Sequence, residues 1–267
     1  MKLIFSEYKS DYGHYIFPYA IWAVPEKGER PANIFQKGFL PSARDLSRYY
    51  MCRQIRVKLR EYSPSSENRR ILKKGKGIHC QLLSRAEFEY NNTWRTFCKN
   101  YADIKFGKNV MSNRRLDSLF HSDLISHVLL FTDTEKDQKV GLTTLYFEKN
   151  QLAYYYYAFY DLNYYTRNLG MFMMTTAVEF FSSNGTPYLY LGTCYSRTAL
   201  YKTQFRGAEF FTGFRWSGNL KELKYLIARD DGAVTQHLVE TKEYQDKFYR
   251  SQFPQMIDSD FFMIAIE

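Results

Sequence analysis

The segment YLYLGTCYSRTALYKTQFRGAEFF, residues 188–211, sets Arg197, Lys202 and Arg206 among aromatic side chains just beyond an alternating apolar stretch. Its first four residues alternate as a strand does, and Gly192 breaks the alternation. A strand that empties into a cationic, aromatic loop suits an anionic or aromatic ligand. A second cationic group lies in NRRILKKGKG, where Arg69, Arg70, Lys73, Lys74 and Lys76 fall within eight residues. Only Glu61 and Glu67 lie nearby to offset them, so this segment reads as phosphate-binding rather than as a self-neutralised face. No G-x-S-x-G, P-loop or H-E-x-x-H motif occurs. Chemistry here therefore falls to positioning groups acting on a donor that is already activated.

Around these residues the chain reads as alternating elements. QIRVKL has strand periodicity, YSPSS is a turn, and Ser65 or Ser66 caps a short helix. A helix is predicted over 84–105, then three strands in HVLLFTDT, KVGLTTLYFEK and QLAYYYYAFYD. NLGMFMMTTAVEFFSSNG is an apolar helix ending at Gly185, and TPYLYLGT is another strand. KTQFRGAEFFTGFRW leads to a last strand pair. The expected class is α+β, with a mixed sheet flanked by helices. The divisions are a small N-terminal module with the basic segment (1–77), a main domain (78–230) and an extension with a helix over 234–253 and the strand-like FFMIAI (231–267).

Composition narrows the partners. Lys and Arg number 37 against 28 Asp and Glu, a net charge of +9, which favours a polyanion. Aromatic residues make up 18%, enough to fill a core and still stack on unpaired bases. Cys52, Cys80, Cys98 and Cys194 form no C-x-x-C pair and have no histidine at ligand spacing, so no metal and no disulfide framework is expected. No apolar run approaches the roughly 18–20 residues that span a bilayer, and no membrane partner is expected. Charges inside the apolar N-terminal stretch argue against a secretory signal, which points to the cytoplasm.

Two colinear blocks resemble the aminoacyl-tRNA–protein transferases, the arginyl-tRNA–protein transferases and their bacterial leucyl-type relatives. In the first, Cys52, Arg56, Val57, Pro64, Ser65, Arg69 and Arg70 follow the family pattern in order and spacing. In the second, Phe159-Tyr160-Asp161, Leu169-Gly170, Pro187-Tyr188, Tyr190-Leu191-Gly192, Tyr201-Lys202, Phe205-Arg206 and Glu209 do so. The resemblance covers about 18–216 and implies an acetyltransferase-like (GNAT-like) catalytic domain that uses aminoacyl-tRNA rather than acetyl-CoA; because only Cys52 of the family's cysteines is present, no cofactor is expected. It implies transfer of arginine or leucine to the N-terminal amine of a protein or peptide, one beginning with Asp or Glu. Lys202, Tyr201 and Asp161 are then the transfer residues: Lys202 or Tyr201 holds the terminal adenosine or supports the developing oxyanion, and Asp161 orients an amine. Arg56, Tyr190, Gly192 and Arg206 are implied to bind substrate, and Arg69, Arg70, Lys73, Lys74 and Lys76 the tRNA.

The chain departs from the family in three places. The cysteine cluster upstream of Cys52 is missing, Leu162 stands where the family has proline, and Thr193-Cys194-Tyr195 replaces the usual continuation after Leu-Gly. Two other readings follow from the same residues. YYTRNLGMF half-resembles the pyrophosphate loop of acetyl-CoA-dependent N-acetyltransferases, with Arg167 and Gly170 fitting and Phe172 too bulky. A non-catalytic tRNA- or degron-binding relative is the other.

Overall fold

A computed structural model of the protein describes residues 1–250. In chain order its elements are β1 (Lys2–Glu7), β2 (Tyr19–Val24), α1 (Pro31–Gln36), β3 (Phe39–Pro41), β4 (Tyr49–Met51), β5 (Gln54–Lys58) and α2 (Ser66–Lys74). There follow β6 (Ile78–Ser84), α3 (Asn92–Lys105), α4 (Asn113–Phe120), β7 (His127–Asp133), β8 (Gln138–Glu148), β9 (Leu152–Tyr160) and α5 (Leu169–Ser183). The chain ends its described course in β10 (Tyr188–Thr193), β11 (Ala208–Phe211), β12 (Trp216–Ser217), α6 (Leu220–Asp230) and α7 (Lys242–Tyr249). These elements form two compact units interleaved in sequence. Among the described residues, one comprises 1–55, 193–204 and 208–250; the other comprises 56–192 with 205–207.

The second unit is built on a mixed sheet. β6, β7, β8 and β9 form an antiparallel ladder, and β10 adds parallel to β9, with α5 as the crossover. β9, LAYYYYAFY, is a strand because aromatic residues fit a pleated surface covered on both faces. On one face Val128, Leu130, Leu142 and Phe159 meet the buried side of α3 and α4, including Trp94, Cys98, Ala102, Leu116 and Phe120. On the other, α5 lies so close to β8 that a Cβ on Gly141 would stand 2.9 Å from Met173 Sδ. α5 buries Leu169, Phe172, Met173, Met174, Ala177, Val178 and Phe181, and ends before Gly185 at φ +70°.

The first unit carries the antiparallel sheet β1-β2-β4-β3 and the hairpin β11–β12. Its parts come from opposite ends of the chain. Gly38, at φ +84°, leaves room for Phe211, whose ring would lie 2.3 Å from an added Cβ. The Trp216 indole donates to Gln36 O at 2.7 Å, and Arg53 pairs with Asp230 at 2.7 Å. Glu222 is buried and accepts from Ser217, Tyr244 and Tyr249 hydroxyls, each at 2.6 Å. Those bonds satisfy a carboxylate that would otherwise be costly to bury.

The α+β class with a mixed sheet flanked by helices is as read from the sequence. Several elements differ. Residues 78–84 form a strand, and the helix expected from 84 begins at Asn92, whose preceding Asn91 caps it. α4 and α6 were not anticipated. The helix expected over 234–253 is confined, among the described residues, to α7 after a short 3₁₀ turn at 238–240. The strand-like FFMIAI lies outside the described residues.

Candidate functional site

Arg56 lies on β5 with its guanidinium buried in the second unit. Its Cζ stands 4.3 Å over the Tyr188 ring and 5.9 Å from the Tyr190 centroid, and Nη1 donates to the Tyr190 hydroxyl at 3.2 Å. Stacking on two rings compensates a buried guanidinium for part of its lost water, which an ammonium could not match geometrically. Tyr188 and Tyr190 share a face of β10 because a strand repeats every two residues. Tyr190 is fully buried, and Gly192 turns the strand at φ +80°.

The residues on either side of Arg56 and Tyr190 also meet. Leu59 N donates to Pro187 O, and Lys58 N to Gly207 O, both at 2.9 Å. Gly207 adopts φ +82°, and any Cβ there would fall 2.6 Å from Lys58 O, so this approach requires glycine. Arg206 donates to Ser63 Oγ at 3.3 Å, and the Tyr62 and Phe205 rings meet edge-on at 6.4 Å. Arg206 is exposed and stands beside the start of the basic helix.

That helix, α2, opens with a capping box: Ser65 Oγ accepts from Asn68 N, and Asn68 Oδ1 from Ser65 N. Arg70 is paired in two-pronged fashion with Glu67, at 2.6 and 2.7 Å, and its guanidinium holds the Glu67 carboxyl below the usual range. Arg69 donates to Pro64 O at 2.6 Å. Two of the five expected phosphate ligands therefore have structural partners. Lys73 and Lys76 are exposed and Lys74 is half-buried, at the helix C-terminus where cations oppose the macrodipole.

The start of α5 is filled by protein. Arg167 donates to Lys74 O and Lys76 O, and pairs with Asp133 at 3.5 Å. Asp133 also accepts from the Tyr164 hydroxyl, which is the main reason its carboxyl sits below the usual range. The Phe172 ring occupies the space beside Gly75, 2.0 Å from an added Cβ, and Gly170 lies against Tyr160. A pyrophosphate has neither the guanidinium nor the room there. Asp161 begins the preceding 3₁₀ turn, accepting from Asn163 N at 2.9 Å and from Gln138 at 3.4 Å. Continuing the β9–β10 register sets Gly192 level with Tyr156, about 16–17 Å of strand before Asp161. The structure thus does not gather Asp161 with Gly192.

Tyr201 and Lys202 lie in the first unit, on a 3₁₀ turn over 197–203. Lys202 Nζ donates to Thr193 O at 2.8 Å, and its pKa is lowered because burial strips water from the ammonium. Tyr201 is exposed, its ring 5.9 Å from that nitrogen. Sequence reasoning missed the clamp next to them. Arg53 N donates to the Tyr195 hydroxyl at 2.7 Å, the Arg53 guanidinium lies 4.9 Å over the same ring, and Cys194 N donates to Arg53 O at 2.9 Å. The available signal was Tyr195 in Thr193-Cys194-Tyr195, an aromatic residue that follows the glycine break with no local cation but Arg197. A cavity of about 40 Å³ lies beside Thr203, Glu209, Ser217 and Leu220, room for water but not for an aminoacyl group. Among the described residues no cluster of His, Cys, Asp or Glu is grouped to hold a metal ion, and no helix is long and apolar enough to cross a membrane.

No family model matches the chain, and no curated protein matches it. Solved structures give distant likenesses. L-PGS from Bacillus licheniformis aligns with TM-score 0.43 and 10% identity over 68% of this chain and 66% of its own. FemX aligns with TM-score 0.39 and 10% identity, over 53% of this chain and 52% of its own. The C-terminal domain of a lysylphosphatidylglycerol synthetase candidate from Agrobacterium fabrum aligns with TM-score 0.43 and 10% identity, over 54% of this chain and 46% of its own. The chain thus spans about half to two thirds of the length of these structures. Likenesses this weak fix neither substrate nor activity.

Proposed function

We propose that this chain is an aminoacyl-tRNA-dependent aminoacyltransferase, moving arginine or leucine from charged tRNA to the N-terminal amine of a protein or peptide, one beginning with Asp or Glu. The supporting observation is that matched residues of the two blocks carrying the sequence resemblance contact the opposite block. Arg56 of the first stacks on Tyr188 and Tyr190 of the second, and Arg206 of the second bonds to Ser63 beside the matched Pro64 and Ser65 of the first.

In this reading the acceptor's neutral amine attacks the ester carbonyl carbon, forming the new C–N bond. The tetrahedral oxyanion collapses, the carbon–oxygen bond to the terminal ribose breaks, and the amine's proton leaves with the ribose oxygen. The donor is already activated, so the protein's task is alignment and charge stabilisation. Lys202 supplies the ammonium for the oxyanion or the adenosine. Exposed Arg206 suits a carboxylate or phosphate, whereas Arg56, held under two rings, sets the positions of those rings. Lys73, Lys74 and Lys76 attract the tRNA backbone. Engagement of Arg167 by backbone carbonyls, with Phe172 beside Gly75, disfavours an acyl-CoA donor.

The test mixes the protein with tRNA charged with labelled amino acids and reporter peptides beginning with Asp, Glu, Arg, Lys or Met. Label on the acidic peptides, abolished by Lys202→Ala, establishes the reading and names the donor. tRNA binding without label on any peptide makes this a binding relative. Absence of both overturns the reading.

A further inference from the structure

Residues 104–115 read IKFGKNVMSNRR, four cations with no acid among them. They form the tip between α3 and α4 in the second unit. Ile104 is 70% exposed, Phe106 40% and Val110 48%, and Tyr165 at 74% lies close enough for Lys105 Nζ to sit 5.8 Å from its ring.

These apolar groups face outward on a braced backbone. Phe106 N donates to Ala102 O at 2.8 Å, and Val110 N to Gly107 O at 3.1 Å. Arg115 ties down Val110 O at 3.0 Å, and Lys99 reaches Lys108 O at 3.4 Å. Met111 is buried as the anchor, and Phe106 rests its edge on Tyr101 and Tyr157. The nearest acids are engaged, Asp103 by Lys99 and Asp117 by Arg95 and Tyr90. Lys105, Lys108, Arg114 and Arg115 are all exposed in the same segment as the exposed apolar side chains.

We propose that this tip docks the protein on an anionic lipid surface. Exposed cations interspersed with exposed apolar side chains match head groups and the acyl boundary beneath them, and the Tyr165 ring beside Lys105 is of the type that favours that boundary. The choice of lipid over RNA rests on Ile104 and Val110, because aliphatic side chains have no face on which a base can stack. Absence of a spanning segment does not bear on a surface contact of this kind.

The test sediments the full chain with phosphatidylcholine vesicles, with and without phosphatidylglycerol. Wild type is expected to sediment with the anionic vesicles only. Ile104→Ser with Val110→Ser, which keeps every charge, should weaken that binding about tenfold or more, from the lost apolar burial. Lys105→Gln with Lys108→Gln should remove the preference for phosphatidylglycerol. Ile104→Trp should show emission blue-shifted on the vesicles beyond that of the wild type, whose three tryptophans serve as the background, with circular dichroism confirming that each variant is folded. Failure of wild type to sediment overturns the proposal, as does undiminished sedimentation of the Ile104/Val110 variant. Weaker tRNA binding by that variant, with no vesicle binding by wild type, would make the tip an RNA surface instead.

Discussion

Arg56 is 6% exposed, and what holds its plane is specific to a guanidinium. Arg56→Lys keeps the charge but loses the stack on Tyr188 and the bond to Tyr190. It should cost about 2–4 kcal/mol of stability and lower transfer about tenfold or more, read by thermal unfolding and initial rates. Lys202 makes a prediction in pH. Burial lowers its pKa, so its ammonium is lost at lower pH than that of an ordinary lysine. The alkaline limb of kcat/KM should therefore begin early, and Lys202→Arg should move that limb to higher pH even if the rate falls. An unmoved limb would remove Lys202 from charge stabilisation. At this scale strand alternation, which acts over a few residues, makes the strands that carry Arg56 and Tyr190 legible, whereas the contact between the two spans 134 residues and was not. Nor was Arg53, because its partners Tyr195 and Asp230 lie 142 and 177 residues away.

Helix α2 and the start of α5 carry the element-scale predictions. Replacing Lys73, Lys74 and Lys76 with alanine should raise KM for tRNA with kcat held, and lower the slope of log affinity against log salt by about 2–3. Arg70→Ala should change that slope little, because Glu67 already neutralises it. Gly75→Ala should destabilise the protein by about 1–3 kcal/mol, since its Cβ would drive into the Phe172 ring, and denaturant unfolding will report it. Ser65 as cap, Gly185 as terminator and the β7–β8–β9 meander were readable because each obeys a rule of three to eight residues. β6, IHCQLLS, alternates weakly, and its strand character comes from pairing with β7 from Ile78↔Asp133 to Ser84↔His127. α4 and α6 are short amphipathic helices capped by Ser112 and Asn219, and their apolar stripes are too brief to stand out from the surrounding polar sequence.

The sequence reading divided the chain at 77/78 and 230/231, following the motifs, while the compact units are interleaved. Composition says nothing about such pairing, because the Gly38–Phe211 approach and the Trp216–Gln36 bond link positions more than 170 residues apart. That interleaving has a consequence for how the chain is made. During synthesis, residues 56–192 leave the ribosome as a nearly continuous body whose ladder β6–β7–β8–β9 needs only neighbouring strands. Residues 1–55 emerge first yet must wait for 208–250 to deliver Phe211, Trp216 and Asp230. Local ladders form faster than contacts that close long loops. Pulsed hydrogen exchange during refolding should therefore protect β7–β9 amides before those of β2 and β4, with the reverse order excluding this scheme. Until the later segments arrive, residues 1–55 hold their aromatic strands without the partners that cover them, and a chaperone would serve them longer than it serves 56–192.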